Sequence, residues 1–209
     1  MPAAAAPVLE QLATLTEDIP ADQAGTRIVG HTGITRLIAP DGPIGGAIAS
    51  LCSKELKPVR AILFDKNDET NWALGWHQDR AIAVQERHDV AGYGPWTVKQ
   101  GILHVQPPFA VIARMLTVRI HLDAVDPHNA PLKVALGSHR MGLVPVGQIG
   151  EAVQAGQIFS CLADRGDVWV YSTPILHASD AAAPGRRRRV LQIDFASDAL
   201  PPPLQWLGV

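Results

Sequence analysis

At 209 residues, with 47% apolar residues and a formal net charge of −2, the chain can bury one sizeable core, and its charge gives no global reason to bind nucleic acid or an anionic membrane. Its two cysteines, Cys52 and Cys161, stand far apart, which excludes a disulfide framework and a cysteine zinc site and fits a reducing cytoplasm. The opening segment carries Glu10, Glu17 and Asp18 and no basic stretch, unlike a secretory signal, and no uncharged apolar run is long enough to span a bilayer.

In chain order, Val8 to Leu15 has helical apolar spacing, as does Ile44 to Leu56 after the Pro40-Asp41-Gly42-Pro43 break. Arg60 to Asp65 reads as a strand followed by the polar turn Lys66 to Thr70. Trp72 to Val84 reads as an extended segment. Residues 86–108 show no clean period and hold Gly92, Gly94, Pro95, Gly101, Pro107 and Pro108, so they are expected to form one long loop, a frequent setting for lids and binding segments. A short helix near Phe109 to Met115 precedes the alternating strand Leu116 to Asp123. Leu132 to Leu136, Gly166 to Ser172 and Arg188 to Phe195 complete the β series. Many short strands with Gly/Pro turns point to an all-β core with flanking helices, a sandwich or jelly roll, rather than a parallel sheet. One domain is expected over residues 1–209, with a helical part over about 1–58 and a β core over about 59–198.

Two distant segments carry chemistry: Trp76-His77-Gln78-Asp79 and His177-Ala178-Ser179, the latter followed by Arg188. On a strand, residues two apart point to the same face, so His77 and Asp79 can reach one metal together. Two imidazoles and one carboxylate suit a non-haem ferrous ion with open positions, and His177 is the best-placed third ligand. A second His-x-Asp, His121-Leu122-Asp123, competes for the role. It sits on a convincing strand, with Arg119 on the face of His121.

These residues also carry a resemblance. WHQD, RIHLD, NAPLKVALGSHRMG, GDVWVYSTPILHAS and RRRRVLQIDFA, in that order from about Arg60 to Ala196, resemble the phytanoyl-CoA dioxygenase family of Fe(II)- and 2-oxoglutarate-dependent oxygenases. The resemblance implies a double-stranded β-helix, or cupin-like jelly roll. It implies His77, Asp79 and His177 as iron ligands, with Fe(II), 2-oxoglutarate and O2 as cofactor and cosubstrates. It also implies that Arg188, eleven residues beyond the distal His, and Ser179, two beyond it, hold the far carboxylate of 2-oxoglutarate. The implied reaction is hydroxylation of a small molecule with release of succinate and CO2, because halogenating relatives replace the carboxylate ligand that Asp79 here retains. The sequence departs from the family at Ala130, where Asn-Gly-Pro-Leu is usual, and at Leu136, where a Pro is usual before Gly-Ser-His; both put turn geometry in question.

Alternation within Arg188 to Phe195 places Arg188, Val190, Gln192 and Asp194 on one face, and Arg189, Leu191, Ile193 and Phe195 on the other. The mixed polar face suits a cavity holding a dicarboxylate, which a planar guanidinium grips through two parallel hydrogen bonds. Gln78 and Asn71 are candidates for orienting the metal ligands. Lys66, Arg80, Arg87, Tyr93, Trp96, Lys99 and Gln100 are candidates for touching substrate. The rival functional readings are a metal-dependent hydrolase on the same three ligands and a non-catalytic jelly roll that binds metal and 2-oxoglutarate.

Overall fold

Three short helices precede the first long strand, each set by where its apolar residues fall. In the computed structural model, which describes residues 1–23, 25–52 and 55–209, α1 (Leu9–Leu15) buries Leu9, Leu12 and Ala13. Helix α2 (Thr32–Ile38) buries Ile34, Leu37 and Ile38, and α3 (Pro43–Ala49) buries Ile44, Gly45 and Ile48. Such spacings give each helix one apolar face. His31 caps α2, its Nδ1 accepting from the Ile34 N–H at 3.3 Å. Gly45 is required where α3 crosses the end of α2, since a Cβ there would lie 1.9 Å from the Ala39 carbonyl oxygen. The helix expected over Ile44 to Leu56 ends at Ala49; residues 53 and 54 of that span lie outside the described residues. No helix among the described residues is long and apolar enough to cross a membrane.

The strands are β1 (Thr26–Ile28), β2 (Lys57–Lys66), β3 (Leu74–His77), β4 (Ile82–Ala83), β5 (Trp96–Lys99) and β6 (Ile102–Val105). After the short helix α4 (Phe109–Ile112) come β7 (Leu116–His121) and β8 (Leu132–Ala135). Helix α5 (Ile149–Gln154) then leads to β9 (Ile158–Cys161), β10 (Val168–Ser172), β11 (His177–Ser179) and β12 (Arg188–Ala196). One sheet runs β1-β2-β12-β7-β10 and a second β3-β11-β8-β9, with all pairings antiparallel; β4, β6 and β5 form a third, smaller sheet. This is the jelly-roll core with flanking helices.

The larger sheet has two unlike faces. Its outer side contributes Ala61, Leu63, Val118, Ile120, Leu191, Ile193 and Phe195 to a core shared with the apolar faces of α1, α2 and α3. Its inner side carries Arg60, Ile62, Phe64 and Lys66 from β2, Arg119 from β7, and Arg188 and Gln192 from β12, all lining a cavity. The alternation read from Arg188 to Phe195 is the one the strand adopts, because a one-residue slip would put a guanidinium, an amide and a carboxylate into the apolar core.

Residues 86–108 do not form one loop. They contain the β5–β6 hairpin, closed by Gln100 (φ 52°) and Gly101 (φ 75°), a two-residue turn with both central residues in the left-handed region. The hairpin escapes detection in sequence because each strand is only four residues long, β5 is largely exposed, and β6 does not alternate. The helix α2, the edge strands β1 and β9 and the three-residue β11 were likewise too short or too irregular to show a period.

Candidate active site

His77 ends β3 and His177 begins β11, directly opposite one another in the antiparallel pair. Their rings lie 4.2 Å apart between centroids. Asp79 follows His77 by two residues. One donor atom from each of His77, Asp79 and His177 can be chosen so that all lie within 4.8 Å of one another, the only such His/Cys/Asp/Glu group of three or more among the described residues.

Backbone carbonyls fix how the imidazoles point. His77 Nδ1 lies 2.8 Å from the Gly75 carbonyl and His177 Nδ1 lies 2.9 Å from that of Ile175. A carbonyl only accepts, so each Nδ1 carries the proton and each Nε2 is left as a lone pair for a metal. Burial pulls His177 down to about 4, with Asp79 opposing, so this ring is neutral at physiological pH as a metal ligand must be. Burial alone would raise Asp79; Arg60 first, then His177 and His77, pull it below the usual carboxylate range. Two imidazole nitrogens and one carboxylate are the donor set that fits a ferrous ion with open positions.

The cluster sits on the wall of a cavity of about 500 Å³. At the far end Arg188 is buried, and one guanidinium nitrogen donates to the Ala130 carbonyl while its Nε has no acceptor. Ser179 Oγ donates to the same carbonyl at 3.2 Å and accepts from Lys66 Nζ at 3.0 Å. Lys66 stands directly across from Arg188 in the β2–β12 pairing, and Arg119 donates to Gln192 at 2.9 Å beside them. Burial, then the charges of Arg188 and Arg119, pull Lys66 down to about 7. Burial, then Arg119, bring Arg188 to about 9, still charged at neutral pH. None of these three cations has a carboxylate partner among the described ion pairs. Like charges held together in a poorly solvated pocket are costly unless a ligand offsets them.

The rival pair does not converge. His121 points inward with both ring nitrogens buried and unpartnered, and burial followed by Arg119 and Arg188 lowers it to about 3. Asp123 instead accepts from Arg189, through the backbone N–H at 2.8 Å and the side chain at 3.0 and 2.8 Å.

The side chains of Gln78 and Asn71 make their hydrogen bonds to backbone groups outside the cluster. Gln78 donates to the Gly142 and Pro174 carbonyls and accepts from Val144 N–H, and Asn71 pairs with the backbone of Ala182. The side chain that reaches Asp79 is instead Arg60, from the inner face of β2. Of the expected substrate contacts, Lys66, Lys99 and Gln100 line the cavity. Arg80 is bonded to the Val144 carbonyl, Arg87 covers the ring of Trp96, and Tyr93 and Trp96 pack against a separate apolar cluster. Arg27, Arg60 and Arg119 line the cavity and were missed. The alternation of Arg119 with His121 pointed to one of them; Lys66, read as the start of a turn, belongs instead to β2 and shares its inner face with Arg60.

A jelly roll with two imidazoles and a carboxylate on its cavity wall, beside a cationic end, has the layout of a cupin-like metal-dependent oxygenase. The chain belongs to the phytanoyl-CoA dioxygenase family, whose model matches residues 37–190. It is thereby a 2-oxoglutarate-dependent oxygenase, of a class that works with iron and O2. Among solved structures, AviO1 from Streptomyces viridochromogenes Tue57 is 20% identical with a TM-score of 0.57, over 96% of this chain and 86% of that one. EctD from S. alaskensis with bound Fe is 16% identical with a TM-score of 0.63, over 99% and 72% of the two chains. HygX from Streptomyces hygroscopicus with nickel and 2-oxoglutarate bound is 12% identical with a TM-score of 0.61, over 94% and 80%. At such identities the likeness is one of fold. No curated protein matches the chain.

Proposed function

We propose that the chain is a single-domain Fe(II)- and 2-oxoglutarate-dependent dioxygenase that hydroxylates a small-molecule metabolite, with release of succinate and CO2. His77, Asp79 and His177 are the iron ligands; Arg188 and Ser179 hold the far carboxylate of the cosubstrate. The observation that carries this reading is one cavity lined both by a metal-ready cluster and by three buried cations, Lys66, Arg119 and Arg188, that form no ion pair among the described residues. A metal hydrolase reading leaves Ser179 and Arg188, at their spacings beyond His177, without an explanation. HygX, with nickel and 2-oxoglutarate bound, shares the fold and shows that such a jelly roll holds both together.

Bound iron would supply the activation of O2 that couples cosubstrate decarboxylation to oxidation of a C–H bond. The chain's own residues do the rest. The Gly75 and Ile175 carbonyls fix the two imidazoles, Arg60 holds Asp79 as a carboxylate, and Arg188 with Ser179 sets the cosubstrate's reach. The helical part packs its apolar faces on β2, β7 and β12, which supports one domain over residues 1–209. The unpaired Cys52 and Cys161 fit a cytoplasmic location. A metabolite screen scored by succinate and CO2 release tests the reading: release that depends on Fe(II), O2 and one metabolite supports it. Absence of any 2-oxoglutarate consumption by iron-loaded protein would contradict it.

A further inference from the structure

Six cationic side chains line the cavity against one carboxylate, Asp79. They fall into three groups. Lys66, Arg119 and Arg188 surround the cosubstrate end, as described above. Arg60 is committed to Asp194 and Asp79. Arg27 and Lys99 remain at the other end, and neither forms an ion pair among the described residues.

These two are brought together by chain segments far apart in sequence. Arg27 lies on β1 and Lys99 at the end of β5. Gln100, in the β5–β6 turn, accepts from the Arg27 backbone N–H at 3.0 Å and donates to the Gly25 carbonyl at 2.8 Å. This clamp fastens the hairpin to β1 and sets both cations on the same cavity. Arg27 Nε is buried without an acceptor, and burial followed by the like charge of Arg60 depresses the guanidinium. The field of Lys99 reaches Asp79, so this end of the cavity adjoins the metal cluster.

A 2-oxoglutarate dianion has two carboxylates. On the proposed reading one goes to the metal and the other to Arg188 and Ser179, which leaves Arg27 and Lys99 unanswered. We infer that the primary substrate is itself an acid, and that Arg27 and Lys99 bind its carboxylate or phosphate while the rest of the molecule lies over the iron. The inference rests on the proposed function and names the substrate class for it. A half-buried guanidinium and an exposed ammonium lining one cavity offer an acid charge-assisted bonds that a neutral molecule cannot replace.

The test uses full-length protein loaded anaerobically with Fe(II) and 2-oxoglutarate, whose metal-to-ligand absorption band reports both sites. The probes are hexanoate against hexanamide and hexyl phosphate against hexanol, each titrated until the band stops changing. At least one acid is expected to perturb the band while its neutral counterpart does not; comparison of the two acids identifies which acid group the site prefers. In Arg27→Met/Lys99→Met the acid's affinity should fall about tenfold or more, and Arg27→Lys should recover part of it. Acids that bind no better than their neutral counterparts, or bind the double variant as well as wild type, would overturn the inference. Failure of wild-type Fe(II) protein to bind 2-oxoglutarate at all is a separate result, and would instead remove the functional reading beneath it.

Discussion

The guanidinium of Arg60 lies 3.6 Å from the carboxylate of Asp79. Its other contacts make that position rigid. Arg60 donates to Asp194 at 2.6 Å, and Asp194 accepts from the Thr117 hydroxyl at 2.9 Å. Asp194 lies on β12 and Thr117 on β7, so the first sheet reaches through Arg60 to a residue that follows the second sheet's β3.

Arg60→Met is expected to weaken Fe(II) binding about ten- to a hundredfold, the usual cost of losing a group that orients a metal ligand. It also leaves Asp194 buried and unpaired, a loss on the order of 3–5 kcal/mol. Metal titration beside thermal unfolding separates the two effects, and Arg60→Met/Asp194→Leu should recover stability without recovering metal affinity. Full metal affinity in the double variant would make Arg60 merely structural.

Much of this was legible in the sequence, and the reasons differ by element. The long strands β2, β7 and β12 declare themselves because one face meets helices and the other a polar cavity, which imposes a period of two. His77 and Asp79 shared their spacing with His121 and Asp123, and a family pattern chose between the pairs, as it pointed to His177 and Arg188. Arg60 and Arg27 were not, because nothing in a single strand says which cavity its inner face will share. The hairpin in residues 86–108 was hidden for the opposite reason: strands of four residues among glycines and prolines are too short to declare a period.

Ala130 stands where the family usually has glycine, and its φ is +49°. It is also buried, and its carbonyl receives both Arg188 and Ser179. A left-handed backbone costs a side-chain-bearing residue about 1–2 kcal/mol, while glycine gives back roughly 0.4–1 through the unfolded chain. Ala130→Gly should therefore raise stability by about 0.5–1 kcal/mol, read as a higher Tm. A lower Tm would mean that the methyl group's packing outweighs the strain.

Lys66 gives the cosubstrate site a pH signature. With a value near 7 in the folded, ligand-free protein and 10.5 as its ordinary value, it holds fewer protons folded than unfolded between those limits. Its contribution to stability therefore rises with pH through that window and is most unfavourable below it. An arriving dianion reverses the preference and favours the ammonium. Binding of 2-oxoglutarate at pH 8 should therefore take up a proton, measured by calorimetry in buffers of different ionisation enthalpy. Lys66→Met should abolish the uptake and raise the stability of the ligand-free protein below pH 7. Uptake that survives in Lys66→Met would assign the proton to another group.

The most direct test of the account is an anaerobic titration of Fe(II) protein with 2-oxoglutarate, following the metal-to-ligand absorption band, in wild type, His77→Ala, Asp123→Asn and Arg188→Lys. The band should form in wild type and Asp123→Asn and be absent in His77→Ala. In Arg188→Lys it should require about ten- to a hundredfold more 2-oxoglutarate, because the charge remains and the fork is lost. A band that persists in His77→Ala and disappears in Asp123→Asn would place the metal at the other His-x-Asp and contradict the site described here.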